Sequence, residues 1–406
     1  MTAHAVHRTS DVEEATRTLL AYCRANDWAG YDPYDALNSP LLASVPLLNS
    51  KFPRLAITQA LKRSPFNIRC LALIPKTQNP KAMGLFLSAL LNLSRIGVTN
   101  QEDCDVMIEQ LIALRSKRIP YWCWGYSFPW QMRTKIVPAG APNLVCTSFV
   151  ADALLNVYEQ RQDARCLSMA TSAAEYILNE LYWTEGSTCG FSYPLPLLRG
   201  SVHNANFLAG ALLCRIYHHT GEQKFLGPAI NAVRYSASKQ HSDGSWYYGE
   251  AKTQRWIDNF HTGYNLCALL SVGRYAGTAE FESKMKQGFD FYRAHFFGND
   301  GAAKYFHNRT YPIDIHSVAQ SIITLLTLRR LDPGNLPLAR SVFQWALDHM
   351  WDHEGFFYYR RLRFCTIRTS YMRWSQAWML LAMSLLVGES HLPAEEPLNE
   401  SSRVLA

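Results

Sequence analysis

Four stretches of this chain are apolar around nearly the whole helical circumference: Leu144 to Tyr158, Phe207 to Tyr217, Tyr264 to Tyr275 and Val318 to Leu328. A helix without a polar face has to be buried on all sides. Each stretch is followed by another whose charges keep to one stripe: Ala164 to Leu181, Phe225 to Gln240, Phe281 to Phe296 and Leu336 to Met350. The alternation predicts units made of a buried inner helix and a half-exposed outer helix. Gly221, in HHTGEQKFL, falls just past an inner helix, where a terminating glycine belongs, and Pro333-Gly334 parts the fourth pair.

A short loop with glycine and aromatics precedes the inner helix of each unit, and a fifth stands before the C-terminal helix. The loops read YWCWGYSFPW, STCGFSYPLP, SDGSWYYGE, NDGAAKYFH and HEGFFYYRR, centred on Gly125, Gly190, Gly244, Gly301 and Gly355. A spacing of roughly 54 to 65 residues suits two helices of about four turns with their connections, and is too long for a tetratricopeptide or ankyrin unit. Asn79-Pro80 opens a further pair, from about 80 to 117, with VTNQED as its turn. Helix candidates at 9–26 and about 53–63 lie before it, and one at about 371–388 closes the chain. The sum is an all-α fold, six pairs in a closed α/α toroid, with an open α-solenoid as the alternative. Closure is favoured because WSQAWMLLAMSLLV is too apolar to cap an open array. A single domain over 1–406 is expected: N-terminal helices and an irregular belt over 1–79, hairpins over 80–390 and a loose tail over 391–406, with 1–8 also loose.

Composition agrees. The chain has 406 residues, 48% of them hydrophobic and 18% charged, which supplies a large core and argues against disorder. The N-terminus lacks the apolar segment of an export signal, and no run reaches the length of a spanning helix. The ten cysteines form no C-x-x-C pair, so reduced thiols in a cytoplasmic protein are expected, with no structural metal site. The net charge of +7 is spread out, densest in RRLRFCTIRTSYMRW, and falls short of a nucleic-acid-binding face. An anionic small molecule fits such a patch better, since guanidinium grips a carboxylate in bidentate fashion. No GxGxxG after a strand and no Walker loop occur, so no cofactor is expected. Oligomeric state stays open.

Polar residues recur where the inner helices begin: Asn143 and Thr147; His203, Asn204 and Asn206; Asp258, Asn259 and His261; Asp314 and His316; Thr369, Tyr371, Arg373 and Trp374. Asn and Asp suit helix capping there. Capping does not account for His203, His261 and His316, which read as equivalent positions converging on one rim. Asp258, His261, Asp314, His316 and His203 are therefore the catalytic candidates. Trp124, Tyr126, Trp130, Trp246, Tyr248 and Tyr311 supply amphipathic rings suited to a sugar's apolar face, and Asn204, Glu250, Tyr264, Tyr371 and Arg373 supply polar contacts. The segment GYDPYDALNSPLL reads as a non-helical loop folding over the cleft, lending Asp35, Asn38 or Arg69.

The motif HSDGSWYYGE followed by RWIDNFHTGYNL resembles the six-hairpin toroid enzymes of carbohydrate metabolism, a group that includes N-acylglucosamine 2-epimerases, unsaturated uronyl hydrolases and uronyl 5-epimerases. DGSW also resembles the repeat of squalene and terpene cyclases. The likeness runs over roughly residues 80–388, through short motifs. It implies a toroid acting on an oligosaccharide or uronic sugar, with polysaccharide assembly as one setting. The chain lacks the Asp-rich box of a squalene-type cyclase and zinc-ligand sets of prenyltransferases or lanthionine cyclases, which makes an isoprenoid enzyme the weaker reading. Hydrolysis leads, with Asp258 and Asp314 as the carboxylate pair. Epimerisation or lyase chemistry through histidines and tyrosines follows closely. A non-catalytic toroid binding glycan or protein is a further alternative. The arrangement of Asp258 and Asp314 discriminates between them: facing carboxylates favour hydrolysis, helix caps turned away favour binding.

Overall fold

The computed structural model describes residues 3–132, 135–200 and 202–391. The chain opens with α1 (Ala3–Ala25) and passes through a belt holding the short α2 (Pro40–Ser44) and α3 (Lys51–Arg63). Five hairpins follow: α4 (Pro80–Arg95) with α5 (Glu102–Ala113), α6 (Leu144–Arg161) with α7 (Ala164–Tyr176), α8 (His203–Thr220) with α9 (Leu226–Ala237), α10 (Asn259–Ala276) with α11 (Glu282–His295), and α12 (Ile315–Thr327) with α13 (Asn335–Met350). The last helix is α14 (Ala377–His391). Helices α4, α6, α8, α10, α12 and α14 neighbour one another in turn, and α14 returns to α4, so the ring closes. Helix α1 lies outside α14, and the two ends of the chain thus form the sixth hairpin. The fold is an all-α six-hairpin toroid. No helix among the described residues is long and apolar enough to cross a membrane.

The hydrophobic pattern explains the two layers. Inner helices touch two ring neighbours and an outer partner, so an apolar stripe on one side would not suffice; α12 buries eleven of its residues, from Ile315 to Leu326. Helix α3 does not join the ring. It packs on the belt around a small core of Ala36, Leu61 and Ile74. The belt expected to be non-helical contains 3-10 turns over Asp35–Asn38 and Pro46–Asn49 and, between them, the five-residue α2, started by Ser39 and Pro40. At the N-terminus α1 is already helical at Ala3, where residues up to 8 were expected to be loose. Most of the expected tail, 392–406, lies outside the described residues.

Three of the five loop glycines are structurally equivalent. Gly244, Gly301 and Gly355 have φ of 91°, 89° and 85°, the left-handed region that glycine alone enters without strain. A Cβ at each would strike the next outer helix: the Gln287 carbonyl oxygen at 2.3 Å, Ser341 Oγ at 2.5 Å and Thr18 Cγ2 at 2.6 Å. Gly125 and Gly190 do different work. A Cβ on Gly125 would strike the Ala141 carbonyl oxygen at 2.0 Å, and one on Gly190 the Asn206 amide at 2.9 Å.

Short antiparallel strands decorate the rim where the inner helices begin: β1 (Trp130–Gln131) with β2 (Ile136–Val137), β3 (Tyr182–Glu185) with β4 (Thr188–Phe191), and β5 (Ile313–Asp314), β6 (Arg360–Arg361) and β7 (Thr366–Ile367) in one sheet. The β5–β6 register sets Asp314 opposite Arg360. Inside the ring Phe149, Tyr264 and Trp378 meet at ring distances of 5.2 to 5.5 Å. They lie between a cavity of about 320 Å³ at the N-terminal ends of the inner helices and one of about 760 Å³ at the opposite ends.

Candidate active site

Four of the six inner-helix starts are set by side-chain caps. Asn79, Asn143, Asp258 and Asp314 accept hydrogen bonds from the backbone N–H groups of Lys81, Cys146, His261 and His316. Each satisfies an otherwise orphan donor of the first turn. Counting from these boundaries, from Val202, and from Tyr371, which precedes the π-helical turn Met372–Gln376 leading into α14, the second residue of each inner turn is Lys81, Val145, Asn204, Phe260, His316 and Arg373. All six line the smaller cavity. This ring of second positions is the repeat's cavity-lining register. His203, His261 and His316 occupy the first, third and second positions, and are therefore not equivalent to one another.

The difference in register decides where each histidine goes. His203 is turned away from the cavity: its Nδ1 lies 3.2 Å from Ser236 Oγ on α9, and its Nε2 lies 2.9 Å from Glu250. His261 and His316 line the cavity. His261 Nδ1 lies 2.7 Å from Asp258 Oδ2, which leaves Nε2 as the nitrogen without a protein partner among the described residues. Asp258 is held in turn by Trp256 Nε1 at 2.8 Å and by the His261 backbone N–H at 3.0 Å. His316 is buried between the Phe260 and Trp378 rings, with Nε2 at 2.6 Å from the Tyr264 hydroxyl. Its Nδ1 has no hydrogen-bond partner among the described residues. Burial, reinforced by the nearby Lys81 and Arg373 charges, holds the His316 imidazole well below the usual histidine range, so it is neutral at pH 7. Burial likewise pushes the Tyr264 phenol well above 10.

Neither expected catalytic carboxylate faces this cavity. Asp258 stands behind His261. Asp314 receives Arg360 at 2.9 and 2.5 Å and Trp374 Nε1 at 2.8 Å, and is fully buried. Both act as caps, and among the described residues no carboxylate lines the cavity. The carboxylate pair that hydrolysis would require is not assembled there. Asp35 is also withdrawn: it pairs with Arg69 at 2.8 Å, and burial, partly offset by that guanidinium, pushes its carboxyl up to about 6. Asn38 donates to the Ser127 carbonyl instead. What the belt contributes is Tyr34, which lines the cavity, and Asp32, which grips Arg373 at 2.6 and 2.9 Å. Burial opposes the Arg373 charge, yet Asp32 holds the guanidinium above its ordinary range.

The aromatic candidates divide. Tyr126, Trp130, Tyr248 and Tyr264 line the cavity, as do Asn204 and Arg373. Trp124 and Trp246 are core residues whose indole N–H groups donate to the Leu111 and Ser236 carbonyls. Tyr371 is buried against Tyr359 and Arg69. Glu250 and Tyr311 lie outside the lining. Sequence reasoning missed Phe260, Trp256, Tyr34 and, above all, Lys81. The signal for Lys81 was available: Asn79-Pro80-Lys81 is an inner-helix start with the same spacing as Asp314-Ile315-His316. Lys81 is 3% exposed, and its Nζ sits 4.1, 5.0 and 5.5 Å from the ring centres of Phe149, Trp378 and Tyr264. Burial first, then the Arg373 charge, pull its ammonium well below 10.5.

The fold and this rim-side cavity place the molecule in a structural class, the six-hairpin α/α toroids, whose solved members include carbohydrate-active enzymes. No family model matches the chain, and no curated protein matches it. Three solved structures illustrate the likeness. A cellobiose 2-epimerase from Bacillus thermoamylovorans aligns over 78% of this chain and 90% of its own, with a TM-score of 0.60 and 11% identity. An unsaturated glucuronyl hydrolase from Streptococcus agalactiae aligns over 93% and 91%, with a TM-score of 0.59 and 10% identity. A GH76 alpha-mannanase from Bacteroides thetaiotaomicron aligns over 77% and 86%, with a TM-score of 0.58 and 13% identity.

Proposed function

We propose that the chain is a sugar epimerase or isomerase, moving a proton at the carbon beside the carbonyl of an open-chain sugar. One observation carries this reading: two histidines, each anchored through one ring nitrogen, share a cavity that no carboxylate lines. The likeness to epimerase, isomerase and hydrolase structures is compatible with it. The sugar-converting neighbours would make this a familiar use of the fold, while identities of 10–15% leave the reaction to be argued from the site itself.

In this reading His261 is the base. Asp258 fixes its tautomer and supports the positive charge that forms when Nε2 takes the proton. The resulting enediolate needs cationic neighbours, and Lys81, Arg373 and the N-terminal ends of the inner helices provide them. The His316–Tyr264 pair returns a proton, on the opposite face for an epimer or at the neighbouring carbon for a ketose. Tyr126, Trp130, Tyr248 and Trp256 offer flat faces to the ring that is not reacting. A cavity of about 320 Å³ suits one sugar ring with part of a second. The unopposed Lys81 favours a substrate with an acid group, a uronate among them.

Product analysis tests the proposal. Purified protein is incubated with neutral and uronic reducing sugars and disaccharides, and products are followed by NMR. Conversion to an epimer or ketose supports the reading. Release of shorter saccharides with no isomer formed would replace it with hydrolysis, and saturable binding without turnover would leave a glycan-binding toroid.

A further inference from the structure

Twelve large apolar side chains stand in solvent among the described residues, and only Val106, on α5, belongs to the wall of the toroid. The other eleven lie in the belt or in the loops of the rim that holds the cavity mouth. Leu47, Phe52, Phe66 and Leu71 of the belt, Leu197 in the loop before α8 and Phe364 at the tip of the β6–β7 hairpin are each more than seven-tenths exposed. Two of these segments also line the cavity: the belt supplies Tyr34, and the Leu197 loop supplies Tyr193 and Pro194. Exposed apolar residues gathered on one face of a chain with this large a core mark an interaction surface.

The charges along the segments that carry them are mainly basic, with Glu354 an exposed acid in the pocket that Pro65, Asn67 and Arg368 also line. Between Asp35 and Glu102 the chain carries eight Lys and Arg and no acidic residue. Lys51 and Arg63 are exposed at the two ends of α3, next to Phe52 and close to Phe66. Arg363 and Arg368 flank Phe364 in a second stretch, from Gly355 to Gly388, that also lacks acids. Lysine beside exposed phenylalanine is a poor composition for the dry centre of a protein interface, where lysine is depleted. It is the composition of a surface that sinks apolar tips into a bilayer boundary while its cations meet anionic headgroups. The tips come from three separate segments, the belt, the loop before α8 and the β6–β7 hairpin, so a broad partner is needed to cover them together.

We propose that this rim docks on an anionic lipid bilayer, with the cavity mouth turned toward the headgroups. The docking is peripheral and independent of which reaction the cavity performs.

Flotation of the full-length protein with extruded vesicles tests it, using phosphatidylcholine alone and phosphatidylcholine with phosphatidylglycerol. Binding is expected to the anionic vesicles, at least tenfold weaker to the neutral ones, and weakened by salt. Phe52→Ser with Phe66→Ser, and separately Lys51→Glu with Arg63→Glu, should each reduce binding tenfold or more without moving the thermal transition, since these side chains are exposed. Val106→Ser on the wall should bind as the parent does. No binding to anionic vesicles would overturn the proposal, as would binding that survives both double variants. A dimer in solution that the Phe52→Ser, Phe66→Ser variant dissolves, with no vesicle binding, would also overturn it in favour of a second copy of this chain.

Discussion

Replacing Lys81 with Met should make the fold more stable while removing its activity. The ammonium is 3% exposed and has three aromatic faces below it but, among the described residues, no hydrogen-bonding carboxylate. Desolvating a cation costs several kcal/mol even after relaxation, whereas cation–π attraction returns about 2 kcal/mol at a desolvated site. Methionine keeps the chain length, and its sulfur gains about 0.3–1.5 kcal/mol against aromatic rings. The net expectation is a gain of roughly 1–3 kcal/mol near pH 7. With an unfolding entropy of about 2.1 cal/mol/K per residue, the 406-residue chain should melt roughly 1–4 °C higher. The pH dependence adds a check. The folded lysine has its pKa lowered, so between the folded and unfolded values only the unfolded chain holds the extra proton. Wild-type stability therefore rises with pH across that window, and the advantage of Lys81→Met should shrink until it vanishes near the unfolded value of about 10.4. Scanning calorimetry from neutral to alkaline pH measures both. A variant less stable than wild type at pH 7 would refute the reasoning, because the ammonium would then be stabilised by more than the aromatic cage.

Arg360→Ala leaves the fully buried Asp314 carboxylate without its guanidinium, and should cost about 3–5 kcal/mol in urea unfolding. The lowered pKa of His316 means that the unfolded chain takes up a proton first on acidification; stability should fall at about 1.4 kcal/mol per pH unit from about pH 6.5 down toward the folded value. His316→Gln should flatten that segment of the profile. Gly301→Ala places a Cβ 2.5 Å from Ser341 Oγ at a φ of 89°, and should cost about 1–3 kcal/mol in the same unfolding assay.

The two-layer helical pattern was legible because burial on all sides leaves no polar stripe, and the inner and outer stretches match α6 to α13 within a few residues. Ring closure was legible from the apolar character of α14. The loop glycines were read as five equivalents, but only Gly244, Gly301 and Gly355 share the left-handed turn against the next outer helix. Gly125 and Gly190 are small for reasons of close approach, which sequence does not separate from turn geometry. The histidines failed for a related reason. A one-residue difference in cap position rotates a helical side chain by about 100°, enough to send His203 outward and His316 inward. Asp258 and Asp314 carried two signals at once, capping and chemistry, and only the geometry separates a residue that orients His261 from one neutralised by Arg360. Lys81 was not legible by residue type, since the other starts carry His, Asn and Asp; only its position, two residues after the Asn79 cap, marks it.

The most direct test of the account is solvent-proton exchange at the carbon beside the carbonyl, with a reducing sugar incubated in D2O and followed by NMR and mass spectrometry. Wild type should wash deuterium into that carbon. His261→Gln and Asp258→Asn should lower the rate by about 10²–10⁴-fold while circular dichroism is retained, and His203→Gln should leave it nearly unchanged. Exchange that survives in His261→Gln, or product formed with no deuterium at that carbon in an epimer and none at the neighbouring carbon in a ketose, would contradict the assignment of His261 as the base.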